Sequence, residues 1–153
     1  MGAKKKPEKT ELDLDLLPEL VGYQLRLAQI AIFRDFSATL GGLDMTPGLF
    51  GVLVIIDANA GLTQNALAKA THLDRSTVVT VIDKLEHRGL VERRAAIPDR
   101  RAYALVLTAA GEKLLRKLKT LVREHESRLC KNLTSEERAQ LVRLLEKIFP
   151  ELR

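Results

Sequence analysis

Residues 63–108 read TQNALAKATHLDRSTVVTVIDKLEHRGLVERRAAIPDRRAYALVLT, and the hydrophobic period changes within this stretch. Val78, Ile82 and Leu85 recur at i, i+4 and i+7, with Val81 beside them, and form one apolar stripe of a helix. Asp74 is placed to cap that helix, because its carboxylate accepts from the N–H groups exposed at a helix start. Gly89 suits the position just past its end, where a left-handed backbone closes the last turn. The opposite face carries Ser76, Thr80, Lys84 and His87, with Thr77 at its edge and Arg75 on the first turn. That face is polar and nearly free of bulky side chains.

A shorter helix precedes it. Thr63 is a cap-type residue, Leu67 and Ala70 are expected to face inward, and the small Ala66 and Ala68 allow close packing. The joint Ala70-Thr71-His72-Leu73 is as short as a helix-turn-helix requires. After Gly89 the period becomes two. Residues 90–95 and 101–108 read as strands, the second with Tyr103, Leu105 and Leu107 alternating with Ala102, Ala104 and Val106. Between them Pro98-Asp99 supplies turn chemistry. Arg93, Arg94, Arg100 and Arg101 crowd this hairpin. Two helices, a tight joint and a basic hairpin make a winged helix-turn-helix.

The polar helix face matches the width of a DNA major groove, where hydroxyls reach base edges and Arg or Lys reaches guanine or phosphate. An arginine on a narrow projection suits the minor groove, whose negative potential is strong. DNA contact is therefore assigned to Thr63, Arg75, Ser76, Thr77, Thr80, Lys84 and His87 on the helices, and to Arg94, Arg100 and Arg101 on the hairpin. Arg93 and Arg94 point to opposite sides of a strand, so one of them faces the nucleic acid, and Arg94 is nearer the tip. Asp99 is expected to pair with Arg101 and stiffen the hairpin.

At this point the chain resembles the MarR transcriptional regulators. The resemblance rests on Asp99-Arg100-Arg101 followed by Leu105, Leu107, Thr108 and Gly111. It rests also on Ser76-Thr77-Val78-Val79 and on Leu85-Glu86-His87-Arg88-Gly89-Leu90-Val91, at the family's spacing. It covers residues 16–153, with specific motifs only in the centre. It implies a homodimer on a pseudo-palindromic DNA operator, usually a repressor, released by a small anionic or phenolic effector or by oxidation. Phenolic acids, or their coenzyme A (CoA) thioesters, are effectors of that kind. By resemblance the effector site lies between the dimer helices and the winged unit. Phe33, Arg34 and Phe50 are candidates there, two aromatic walls and a cation. The alternative makes both phenylalanines ordinary core and Arg34 a surface charge.

The flanking segments read as a frame. Residues 16–40 predict one long helix with apolar residues on more than one face, too many for a helix with a single buried side. Gly41-Gly42 ends it. Thr46-Pro47 starts the next helix, with Leu49, Phe50, Leu53, Val54 and Ile56 inward, and Gly61-Leu62 is a candidate short strand against the wing. Thr108 caps a helix running to residue 129, and Thr134 with Glu137 forms a capping box before a last helix that Pro150 stops. The expected fold is mainly α with a small β-wing. Residues 1–14 are a disordered basic tail, 15–42 and 109–153 are homodimerisation helices, and 43–108 are the DNA-binding domain. The tail is either solubilising or an arm adding phosphate contacts.

Length and composition limit the alternatives. The chain has 153 residues, 46% hydrophobic and 29% charged, which fits one helical domain. Its net charge of +5 fits a polyanion partner without requiring one. No signal peptide and no membrane-spanning apolar run is evident, which leaves the cytoplasm as the default. One cysteine excludes a disulfide framework. Cys130 reads as a small core or interface residue, the rival reading being a redox switch. His72, His87 and His125 lack metal-ligand spacing, so no metal and no cofactor is expected, and His125 reads as surface or interface. No phosphate loop, nucleophile elbow or acid–base pair supports an enzyme. A second rival is an architectural DNA protein without an operator.

Overall fold

The computed structural model describes residues 12–95 and 103–152. The basic start and the hairpin tip, with Pro98, Asp99, Arg100 and Arg101, lie outside the described residues. The described elements are α1 (Val21–Leu40), α2 (Pro47–Ala58), β1 (Leu62–Thr63), α3 (Gln64–Thr71), α4 (Arg75–His87), β2 (Val91–Ala95), β3 (Tyr103–Leu107), α5 (Ala109–Leu129) and α6 (Ser135–Ile148). The fold is mainly helical with a small antiparallel sheet ordered β1-β3-β2.

Each boundary has a local cause. Thr46, Thr63, Asp74, Thr108 and Thr134 all cap helices with side-chain oxygens, and Thr134 with Glu137 completes the capping box. His72 ends α3 in a left-handed conformation (φ 55°), which turns the chain sharply into α4. Gly89 at φ 67° does the same after α4. The sheet register pairs Arg93 with Leu105 and Val91 with Leu107, and β1 sets Leu62 opposite Leu105.

The core lies in the winged unit. Leu49, Val52, Leu53 and Ile56 of α2 meet Leu67 of α3, Val78, Ile82 and Leu85 of α4, Leu105 of β3, and Leu115 and Leu118 of α5. From α1 only Phe36 and Leu40 are buried, and α6 buries none of its described residues.

Two expectations about elements change. The first helix is not continuous from residue 16: a 3-10 turn at Leu17–Glu19 precedes α1, and Leu20 between them is extended. The Gln24 side-chain amide donates to the Pro18 carbonyl (2.7 Å), the acceptor a continuous helix would offer to the Gly22 N–H. In α3 the inward alanine is Ala68, which is buried, while Ala70 is exposed. Residues 67, 68 and 71 turn to the core, one position out of phase with the reading that paired 67 with 70. Among the described residues no single helix is long and apolar enough to cross a membrane.

Candidate nucleic-acid interface

The face of α4 opposite its buried stripe is open. Arg75, Ser76, Thr80, Lys84 and His87 are exposed, and Thr77 is half-buried at the edge, as their spacing predicts. Asp74 accepts from the Thr77 N–H (2.8 Å), the Ser76 hydroxyl (2.5 Å) and the Thr77 hydroxyl (2.7 Å). These bonds, led by the one from Ser76, hold its carboxyl far below the usual carboxylate range. Lys84 stays half-exposed while pairing with Asp44 at 3.5 Å. Val79 is exposed on the same helix, an apolar member of this face that the polar pattern concealed. Thr63 accepts from the Ala66 N–H at 3.2 Å, so its oxygen serves the start of α3.

The hairpin separates its arginines. Arg93 turns toward α4 and is bound by Glu86 and by Asp83 (2.6 Å). Partial burial lowers its pKa, but the two carboxylates outweigh this and raise it overall. Arg94 follows on the other side of the strand, exposed, with Glu92 as its neighbour. Arg93 thus braces wing to helix, and Arg94 is the one left accessible. Arg88 is a second brace that sequence reading missed: it donates to the carbonyls of Asp44 (2.8 Å) and Leu43 (2.9 Å), tying the end of α4 to the loop before α2.

A shallow concavity of about 560 Å³ lies beside the α3–α4 joint, lined by Asn65, Lys69, His72 and Arg75 among others. Asn65 and Lys69 were not singled out from sequence, because nothing in their spacing marks them. Only the turn at His72 brings them beside Arg75.

Away from this face, α1 and α5 are joined by a polar cluster. His125, expected at the surface or an interface, is buried inside the single chain, and its Nδ1 lies 2.5 Å from Asp35 Oδ2. Phe36 packs edge-on against its ring, and Arg128 donates to Asp35 (3.2 Å) and Thr39 (2.6 Å). The hydrogen bond from His125, aided by Arg128, holds the Asp35 carboxyl below its ordinary value against the opposing effect of desolvation.

The effector candidates are spread over different surroundings. Phe33 lines an apolar groove of about 780 Å³ between α1 and α6. Phe50 packs partly buried against the winged core, and Arg34 is exposed. Cys130 lines the same groove as Phe33. Burial, with Glu126 3.7 Å from its sulfur, pushes its thiol up, which disfavours the reactive thiolate. Among the described residues no group of three His, Cys, Asp or Glu could hold a metal ion.

Residues 43–102 match the model of the MarR family. A putative transcriptional regulatory protein for the hcr operon of Thauera aromatica is 38% identical over 130 residues, 84% of this chain and 78% of the relative. The chain belongs to the MarR family. It is a MarR-type DNA-binding transcriptional regulator and not an enzyme. The transcriptional repressor CouR bound to a 23-mer DNA duplex is similar in structure, with TM-score 0.86, 38% identity, and coverage of 91% of this chain and 99% of that one. CouR bound to p-coumaroyl-CoA gives TM-score 0.82 and 36% identity over 90% of this chain and 97% of that one.

Proposed function

We propose that this MarR-family chain acts as a homodimeric repressor on a pseudo-palindromic operator and is released by an aromatic acid or its CoA thioester. One observation carries the reading: α4 offers an open face of Arg75, Ser76, Thr80, Lys84 and His87 on a chain similar to a DNA-bound repressor. In this reading Thr77, Arg94 and the hairpin arginines Arg100 and Arg101 join that face. Thr63 positions α3, and Asn65 and Lys69 meet phosphate beside Arg75. Val79 supplies apolar contact of the kind a thymine methyl accepts.

Dimerisation is supported by apolar surface outside the core. Leu16, Leu17, Leu20 and Val21 before and at the start of α1, and Leu141, Leu144, Ile148 and Phe149 at the C-terminal end, are all exposed in the single chain. Surfaces of this extent mark interaction sites. The tail (1–14), the frame (15–42 and 109–153) and the DNA-binding unit (43–108) follow from the same reading. Two α4 helices must then sit about 34–36 Å apart to enter successive major grooves. A ligand that favours another spacing empties the DNA-competent state only as far as its differential affinity allows. The similarity to CouR bound to p-coumaroyl-CoA supports an aromatic thioester as that ligand, with Phe33, Arg34 and Phe50 as its candidate contacts.

Footprinting on the duplex beside the chain's own coding sequence tests this. The expected result is protection of paired half-sites that fades with p-coumaroyl-CoA and not with free CoA. Equal affinity for random duplex at the same salt would remove the operator, because backbone contacts carry no sequence information.

A further inference from the structure

The hydroxyls on the recognition face have already committed their protons. Ser76 donates to Asp74 Oδ1 (2.5 Å) and Thr77 donates to Asp74 Oδ2 (2.7 Å). Thr80, one turn on from Ser76, donates to the Ser76 carbonyl (3.0 Å). A hydroxyl has one donor and two lone pairs, so each now faces outward as an acceptor only. Asp74 has no proton to give back, since those same bonds hold its carboxyl ionised. Ser76 and Thr80 are exposed on one side of α4, and Asp74 is fixed at the cap by the Thr77 N–H.

We propose that Ser76 and Thr80 read the exocyclic amino groups of adenine or cytosine in the major groove, with Asp74 as the positioning residue that sets this polarity at Ser76 and the Ser76 carbonyl setting it at Thr80. Adenine N6 and cytosine N4 are the donors on base edges there, whereas guanine N7 and O6 and thymine O4 are acceptors. An acceptor-only hydroxyl meets an amine with a hydrogen bond and meets a carbonyl with lone-pair repulsion. On the contacted strand, the positions facing Ser76 and Thr80 therefore accept adenine or cytosine and reject guanine and thymine. Arg75 and Lys84 supply the donors for acceptor edges and phosphates. The inference rests on the operator reading above and adds which bases the operator carries.

The test starts with selection from a library of random-core duplexes by the full chain, by Ser76→Ala and by Thr80→Ala. Positions whose preference relaxes in a variant are those its side chain reads. They are then rebuilt without the amine, using purine for adenine or 2-pyrimidinone for cytosine. The expected result is adenine or cytosine at those positions and binding about fivefold weaker without the amine, the worth of one net hydrogen bond. The matching Ala variant should be indifferent to the amine, which removes any effect of the analogue on the duplex itself. Asp74→Gly keeps a tolerated cap residue but removes the acceptor of the Ser76 hydroxyl, and it should relax the preference at the position Ser76 reads while leaving that of Thr80. A selection that yields no preferred sequence overturns the operator reading together with this one. A clear preference overturns this inference alone in any of three cases: neither Ala variant changes it, the read positions carry guanine or thymine, or loss of the amine is harmless.

Discussion

Gly111 sits where α5 leaves the hairpin, and a Cβ there would lie 2.0 Å from the Leu90 carbonyl oxygen. That oxygen cannot retreat freely, because it accepts from the Thr108 N–H at 3.1 Å, and Thr108 also donates to the Gly89 carbonyl at 2.6 Å. Gly111→Ala should destabilise the protein by about 3 kcal/mol, the upper end of overpacking. A melting temperature lower by roughly 6–12 °C is the expected reading for a chain of this size. An unchanged melting curve would mean the junction has slack that this geometry excludes. At this scale the hairpin arginines also part company. Arg93 and Arg94 are equivalent in composition, and the alternation of a strand says only that they diverge. Which one faces α4 depends on the register that pairs Arg93 with the buried Leu105.

At the scale of elements, the joint between α1 and α5 is the clearest mechanical feature. Asp35, Thr39, His125 and Arg128 form a closed hydrogen-bonded set, with Thr39 donating back to the Asp35 carbonyl (2.8 Å). Asp35 has a folded pKa below its ordinary 3.8, so its bonds contribute stability that is present above that value. The contribution is lost as pH falls through the folded pKa. Asp35→Asn should melt lower than the wild type at neutral pH, and the gap should close as pH falls below 3.8. Circular-dichroism melts across that range decide it, and a gap independent of pH would show that the carboxylate charge is not what holds the joint.

At the scale of the molecule, the winged unit has a complete core, whereas among the described residues the start of α1 and all of α6 bury none. Leu144 is half-exposed on a helix that buries none of its described residues. Leu144→Glu is expected to give a folded monomer by sedimentation, and its operator affinity should fall to that for random duplex. Stable pairing of two chains needs about 800 Å² from each, more than one side chain supplies. For that reason Leu141→Glu is the confirming variant. Retained dimers in both would place the interface elsewhere.

The local signals were decisive where the physics is local. The caps at Thr46, Thr63, Asp74, Thr108 and Thr134, the end at Gly89, the apolar stripe of α4 and the change to period two depend on neighbours within a few residues, and they are legible by type and spacing. The failures lie where distant segments meet. His125 is 90 residues from Asp35, and nothing in its surroundings along the chain marks it as buried. Arg88 on the Leu43 and Asp44 carbonyls is of the same kind, whereas Ala68 in place of Ala70 and the Gln24 bond to Pro18 are local shifts of helix phase and helix start. The sequence by itself determined which segments are helix, turn and wing, because capping and periodicity act over one turn. Only the tertiary structure decided which polar groups are bound inside the chain and which stay exposed on its face, because that depends on what packing brings opposite them.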